Sequence, residues 1–137
     1  MTLRKEQDRD RRHLDRKHGG PICQDHAILW DLEERFWTSG ADSARSSTAK
    51  NAVMIFPYPP GILQGDLIWK HVKQNTGWRT VQMKDRSVAK NDAVAVLAYL
   101  VIAEKPGSPI YEALCASTYL LDDSGWLRLS HQQTPAT

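Results

Sequence analysis

Glu33 is the residue whose position most needs explaining. Set at 100° per residue, Leu32, Phe36, Leu29, Glu33, Trp37 and Trp30 fall in that order around one arc of a helix. Asp31, Glu34, Arg35 and Thr38 occupy the other side. A bare carboxylate in the middle of an apolar stripe is costly. Two arrangements relieve the cost. Either a strand or an arginine ties the carboxylate down structurally, or it faces a pocket where desolvation raises its pKa and it serves as an acid or base. His131 follows Leu127 and Leu129 at strand spacing, so the three are expected on one face. A histidine there is either a satisfied core residue or a second acid–base group.

Cys115 shares a strand face with Tyr111, Ala113, Ser117 and Tyr119. Small residues between two tyrosines suit a cavity wall, and equally a core around an inert thiol. A Cys115–His131 nucleophile pair would require the two to touch, which spacing alone does not decide. Tyr99 stands in an otherwise apolar run, and its hydroxyl needs a partner, a ligand among the options. Trp37, Phe56, Tyr58, Trp69 and Trp78 supply aromatic surface for a pocket wall or for a plain core. Cys23-x-x-His26 offers two metal ligands, with His13 and His18 behind it, whereas a structural zinc site takes four well-spaced ones. No metal is expected. Neither a phosphate loop nor a dinucleotide fingerprint occurs, so no cofactor is expected either.

These side chains need elements to hold them. The first 20 residues carry seven basic and four acidic side chains and few apolar ones. Such a segment buries too little surface to offset its ordering entropy, so residues 1–22 are expected to be a charged tail and 23–137 the domain. A helix is predicted from an Asp25 cap to a Gly40 stop, and a shorter one over Ser43–Lys50 with Asp42 as cap. The run Ala52–Phe56 reads as a strand ended by Pro57, followed by a turn and a short extended piece at Ile62–Leu63. A third helix is predicted from an Asp66 cap through Asn75, closed by Gly77. Strands follow over Trp78–Lys90, Ala93–Glu104, Ile110–Leu121 and Trp126–Gln133, joined by Asn91-Asp92, Pro106–Pro109 and Asp122–Gly125 turns. Hairpin-linked neighbours imply an antiparallel sheet, and helices before strands imply the α+β class.

Bulk properties narrow the function. A chain of 137 residues suits one domain. Its net charge of +2 gives no general reason to expect nucleic acid. No apolar run reaches the roughly 18 residues of a membrane span, and the charged N-terminus lacks the apolar stretch of an export signal. Two cysteines without such a signal read as reduced thiols in the cytoplasm. Ala93–Ala103 lacks polar alternation, so both of its faces should be covered. Helices cover one. A homodimer through the outer face of the sheet is expected to cover the other.

The order of elements, with Leu32-Glu33 and Phe36-Trp37, then Val53–Phe56 leading to Gly65, resembles the start of a nuclear-transport-factor-2-like domain. Tyr111-x-Ala113-x-Cys115-x-Ser117-Thr118-Tyr119, then Gly125-Trp126 and His131–Pro135, resembles its end. Within that superfamily the sequence is most similar to the SnoaL-like, polyketide-cyclase-like bacterial branch. The resemblance covers roughly residues 25–135. It implies three helices packed on a curved antiparallel sheet around a cone-shaped pocket. Ketosteroid isomerases of this fold carry an Asp before a Pro after the first strand; Phe56 stands there, which argues against that chemistry. The Asp-Arg-Asp set of the epoxide hydrolases is not found on these strands either. The expectation is a domain binding a small, largely hydrophobic molecule, with acid–base chemistry of isomerase, dehydratase or cyclase type at Glu33 or His131. A non-enzymatic association module is the alternative, and an open or filled cone separates the two.

Overall fold

A computed structural model describes residues 19–136, with side chains from Gln24 onward. Residues 1–18 of the charged tail, His13 and His18 among them, and the Cys23 side chain therefore lie outside the described residues, while residues 19–22 of that tail already belong to the first helix. The elements in chain order are α1 (Gly19–Thr38), α2 (Gly40–Ser46), β1 (Thr48–Ile55), β2 (Ile62–Gln64), α3 (Asp66–Gln74), β3 (Thr80–Asn91), β4 (Val94–Glu104), β5 (Tyr111–Asp122) and β6 (Gly125–Pro135). The three helices pack against one six-stranded sheet of order β2-β1-β6-β5-β4-β3. No described helix is long and apolar enough to cross a membrane.

The α1 arc is buried as its periodicity requires: Leu29, Glu33, Phe36 and Trp37 all face inward. Asp31 and Arg35 pair at 3.0 Å on the solvent side. The helix stops at Gly40, whose φ of +88° suits glycine and few other residues. Asp25 is not the cap, because the turns before it are already helical. Its carboxylate instead meets Lys90 of β3 at 3.5 Å. Asp66 likewise lies in the first turn of α3, one residue after its cap position at Gly65.

The α2 helix begins and ends earlier than its sequence suggests, with Asp42 inside its first turn. The sheet takes the chain over at Thr48. Arg128 N donates to Ser47 O at 2.8 Å, and Thr48 Oγ1 donates to Ala44 O at 2.7 Å. That capture makes β1 run parallel to β6, while the other pairings are antiparallel. The sheet is thus mixed. Hairpins dictate direction only between sequence neighbours, and no hairpin joins β1 to β6.

A bulge in β6 decides what the sheet presents inward. Thr118 pairs with Ser130 but Tyr119 pairs with Arg128, which leaves Leu129 as an extra residue. Side-chain parity flips there. Trp126 and Arg128 face inward before it, and His131 and Gln133 after it. Leu127, Leu129 and His131 therefore do not share a face, contrary to simple strand spacing. Deleting Leu129 should remove the bulge and still leave Arg128 and His131 facing inward, because only Ser130 would then separate them. The buried ion pair described below should survive, so urea unfolding should show a smaller loss than the about 3–5 kcal/mol that breaking such a pair costs. A loss that large would show that the extra residue itself is needed to seat Arg128.

Candidate functional site

Two apolar clusters fill the cone, one around Trp37, Met54, Phe56 and Tyr99, the other around Leu29, Leu97, Tyr119 and Trp126. Glu33 sits at their seam, fully buried. Tyr99, from the first cluster, donates its hydroxyl to Glu33 Oε2 at 2.6 Å. Tyr119, from the second, donates to Oε1 at 2.6 Å. Ser117 donates to Oε2, also at 2.6 Å. Arg128 brings the opposite charge, its Nε 3.5 Å from Oε1, and both side chains are fully buried.

The guanidinium is held from several sides. Its Nη1 donates to Thr48 Oγ1 at 2.9 Å, and its Nη2 to Leu32 O at 3.0 Å and to Tyr119 OH at 2.6 Å. The rings of Phe36 and Tyr119 lie 4.6 and 5.1 Å from its central carbon. Burial alone would raise the Glu33 pKa. The hydrogen bond to His131, the Arg128 charge and the Ser117 hydroxyl outweigh it and hold the carboxyl well below the usual range. The direction is thus opposite to that of a pocket-facing acid. Of the two sequence readings, the arginine-tied carboxylate is the one this geometry matches.

Glu33, in turn, perturbs its neighbours. Tyr99 and Tyr119 are pushed well above the ordinary tyrosine pKa, first by burial and then by the adjacent carboxylate. Burial and the same charge push Cys115 up to about 12. A thiol so hard to ionise is a poor nucleophile. Register also separates it from the imidazole: His131 lies opposite Ser117, while Cys115 lies opposite Gln133. Ser117, His131 and Glu33 are the residue types of a hydrolytic triad. Yet Ser117 Oγ at 2.7 Å and Glu33 Oε2 at 3.3 Å both meet the same ring nitrogen, Nδ1. A triad histidine needs one nitrogen for each partner.

The other ring nitrogen of His131 leads outward. Tyr111 donates to Gln133 Oε1 at 2.9 Å, so Gln133 Nε2 is the group that meets His131 Nε2, at 3.1 Å. His131 Nε2 must accept that bond, which places the ring proton on Nδ1 toward Ser117. A continuous chain, Tyr111–Gln133–His131–Ser117–Glu33, results. Its outer end opens into a cavity of about 400 Å³, lined by Tyr111 and Gln133 among others.

Trp37 and Phe56 line this cavity; Pro57 and Pro59 do too, but Tyr58 points to solvent at 88% exposure. Trp69 packs at the edge of the first cluster. Glu33, Tyr99, Cys115, Ser117, Tyr119 and His131 lie outside the cavity lining, in the filled part of the cone. Sequence reasoning passed over four residues that matter here: Arg128, Gln133, His71 and Lys105. His71 was legible, since Ile68, His71, Val72 and Asn75 follow i, i+3, i+4, i+7 spacing. Its ring lies 4.3 Å from Phe56, and burial lowers its pKa. Among the described residues no cluster of three metal-ligating side chains occurs.

No protein-family profile matches the sequence, and no curated protein matches it. Solved structures do. An NTF2-like protein from Cytophaga hutchinsonii superposes with a TM-score of 0.67 at 11% identity, over 80% of this chain and 97% of that one. A candidate ketosteroid isomerase from Parabacteroides distasonis gives 0.69 at 12% identity, over 80% and 86%. The CamKII hub homology domain of Chlamydomonas reinhardtii gives 0.68 at 15% identity, over 84% and 97%. At such identities the likeness is one of fold.

Glu33→Gln should cost about 3–5 kcal/mol near neutral pH, because it strands the buried Arg128 charge. The pH dependence has a definite sign. A carboxyl whose folded pKa is depressed contributes fully above its unfolded value, near 4.5, and that stability disappears as pH falls below it. Wild type should lose stability on acidification through this window more steeply than the variant. Urea titrations at pH 8 and pH 4 measure both effects; a variant as stable as wild type at pH 8 would remove the ion pair from the account.

Proposed function

From the nuclear-transport-factor-2-like α+β fold of this chain, we propose a domain that binds a small, largely apolar molecule in the open end of its cone. The observation that carries the reading is the cavity. About 400 Å³ stays unfilled beside a fully packed seam, within the size range of small-molecule sites. Phe36, Trp37, Phe56 and Trp78 give its walls aromatic surface, and Gln133, Tyr111, His71 and Lys105 offer polar contacts on them. Function of this kind fits the SnoaL-like branch that the sequence resembles. Acid–base work on a ligand falls to His71, whose lowered pKa keeps the imidazole neutral and able to accept a proton near pH 7. Glu33 is assigned the structural role. His131 is assigned the part of a relay behind Gln133.

A second reading rests on the outside of the sheet. On β4 the inner residues Ala95, Leu97, Tyr99, Val101 and Ala103 are buried, while Val94 and Val96 are 40% and 39% exposed. On β5, Leu114 opposite Leu100 and Leu120 opposite Val94 extend the apolar strip. An apolar strip of this kind suits a two-fold dimer, and the association domain of C. elegans CaMKII is among the similar structures, at 9% identity and a TM-score of 0.64 over 88% of this chain and 97% of that one. Self-association on the outer face and binding in the cone use different surfaces and coexist.

Val72→Phe, which adds a ring to the cavity wall, should abolish uptake of hydrophobic ring compounds with the circular dichroism unchanged. Titration calorimetry of wild type against a panel of such compounds is the measurement, and a wild type that takes up none would refute the binding role. For the dimer, sedimentation at micromolar concentration should give two copies burying about 2,000 Å² or more. Leu114→Asp should then give a folded monomer; a wild-type monomer would exclude the interface.

A further inference from the structure

Resting on the binding role just proposed, we infer that the ligand class is a flat, unsaturated carboxylic acid. Its carboxylate meets Lys105, and an oxygen acceptor at its other end meets Gln133. Charge comes first. Among the described residues Lys105 is the one lysine or arginine in the cavity lining, and no aspartate or glutamate lines it. The ammonium lies 4.4 Å from the Trp78 ring, with one hydrogen bond of 3.4 Å to Thr76 O. It has no ion pair among the described residues. An ammonium has three donors, so two remain for a ligand. Beside an aromatic wall, a half-buried cation without a counter-charge favours an anion.

Depth comes second. Lys105 contacts Trp78, Trp78 stacks on Tyr111 at 5.9 Å, and Tyr111 bonds Gln133. Gln133 is only 9% exposed and marks the inner end of that series. Its amide oxygen is engaged by Tyr111, and one Nε2–H by His131. The second Nε2–H has no partner among the described residues, so the inner end presents a donor to an acceptor oxygen. Rings supply the rest. Phe36, Trp37 and Phe56 line the space between, and aromatic walls favour planar, unsaturated ligands.

Three probes test this by titration calorimetry at pH 7: 6-methoxy-2-naphthoate, its neutral amide, and 2-naphthoate. The methoxy acid should bind about tenfold tighter than its amide, the worth of one charge-assisted hydrogen bond. It should also bind tighter than 2-naphthoate, which lacks the inner oxygen. Lys105→Met should bring the acid down to the affinity of the amide, and Lys105→Arg should keep the preference. Equal binding of acid and amide by wild type, or a preference that survives Lys105→Met, overturns the carboxylate assignment and leaves the cavity reading standing. Equal binding of the two acids overturns the role of Gln133. Binding of no probe overturns both this inference and the binding role on which it rests.

Discussion

Everything in the cone is arranged around one carboxylate removed from water. Glu33 and Arg128 cannot be buried cheaply, because desolvation of each ion costs several kcal/mol before any attraction is counted. The cost is met by partners drawn from four strands: Tyr99 from β4, Ser117 and Tyr119 from β5, Arg128 and His131 from β6, Thr48 from β1. A hydrophobic seam would hold these elements together about as firmly. What a charge adds is discrimination. Sliding α1 by one residue along the sheet would leave two ions bare at once, so wrong dockings are penalised far more than an oily interface would penalise them.

The same charge divides the cone into two chemical compartments. Close to Glu33, hydroxyls and the Cys115 thiol are harder to ionise than in water, so that half is inert by construction. Beyond Gln133 the field is different: burial makes the His71 imidazole harder to protonate, and the Lys105 ammonium has no ion pair among the described residues. The Tyr111–Gln133–His131–Ser117 chain joins the two, and each of its members is oriented by the next. A group that altered the Gln133 amide from the cavity side would be felt at the imidazole through one hydrogen bond.

The helices and strands were legible in the sequence to within a few residues, because periodicity and turn chemistry report locally. The apolar arc of α1 is a direct case, and it singled out Glu33 before any partner was known. Arg128 was not legible. Lying between Leu127 and Leu129, it reads as the wet residue of an alternating strand, and the bulge that reverses this leaves no mark in the residue types themselves. The parallel pairing of β1 with β6 escaped for a related reason: it joins strands roughly 80 residues apart, as in Thr48 with Arg128, and no turn residue announces it. Lys105 was missed because a lysine after a strand ordinarily points into solvent, and its place beside Trp78 depends on how the loop folds back.

The position of β6 has a consequence for how the molecule comes into being. It is the last strand of the fold to be synthesised, yet it lies in the middle of the sheet, between β1 and β5. Arg128 and His131 both ride on it. While the chain is emerging from the ribosome, α1 carries a carboxylate on its oily side with no counter-ion yet in existence, and β1 has no central neighbour to pair with. The nascent chain must wait, partly assembled and exposing apolar surface, until its final strand arrives. A chain cut before β6 would keep Glu33 without its counter-ion, a penalty that a fold closed by its first strands would not meet.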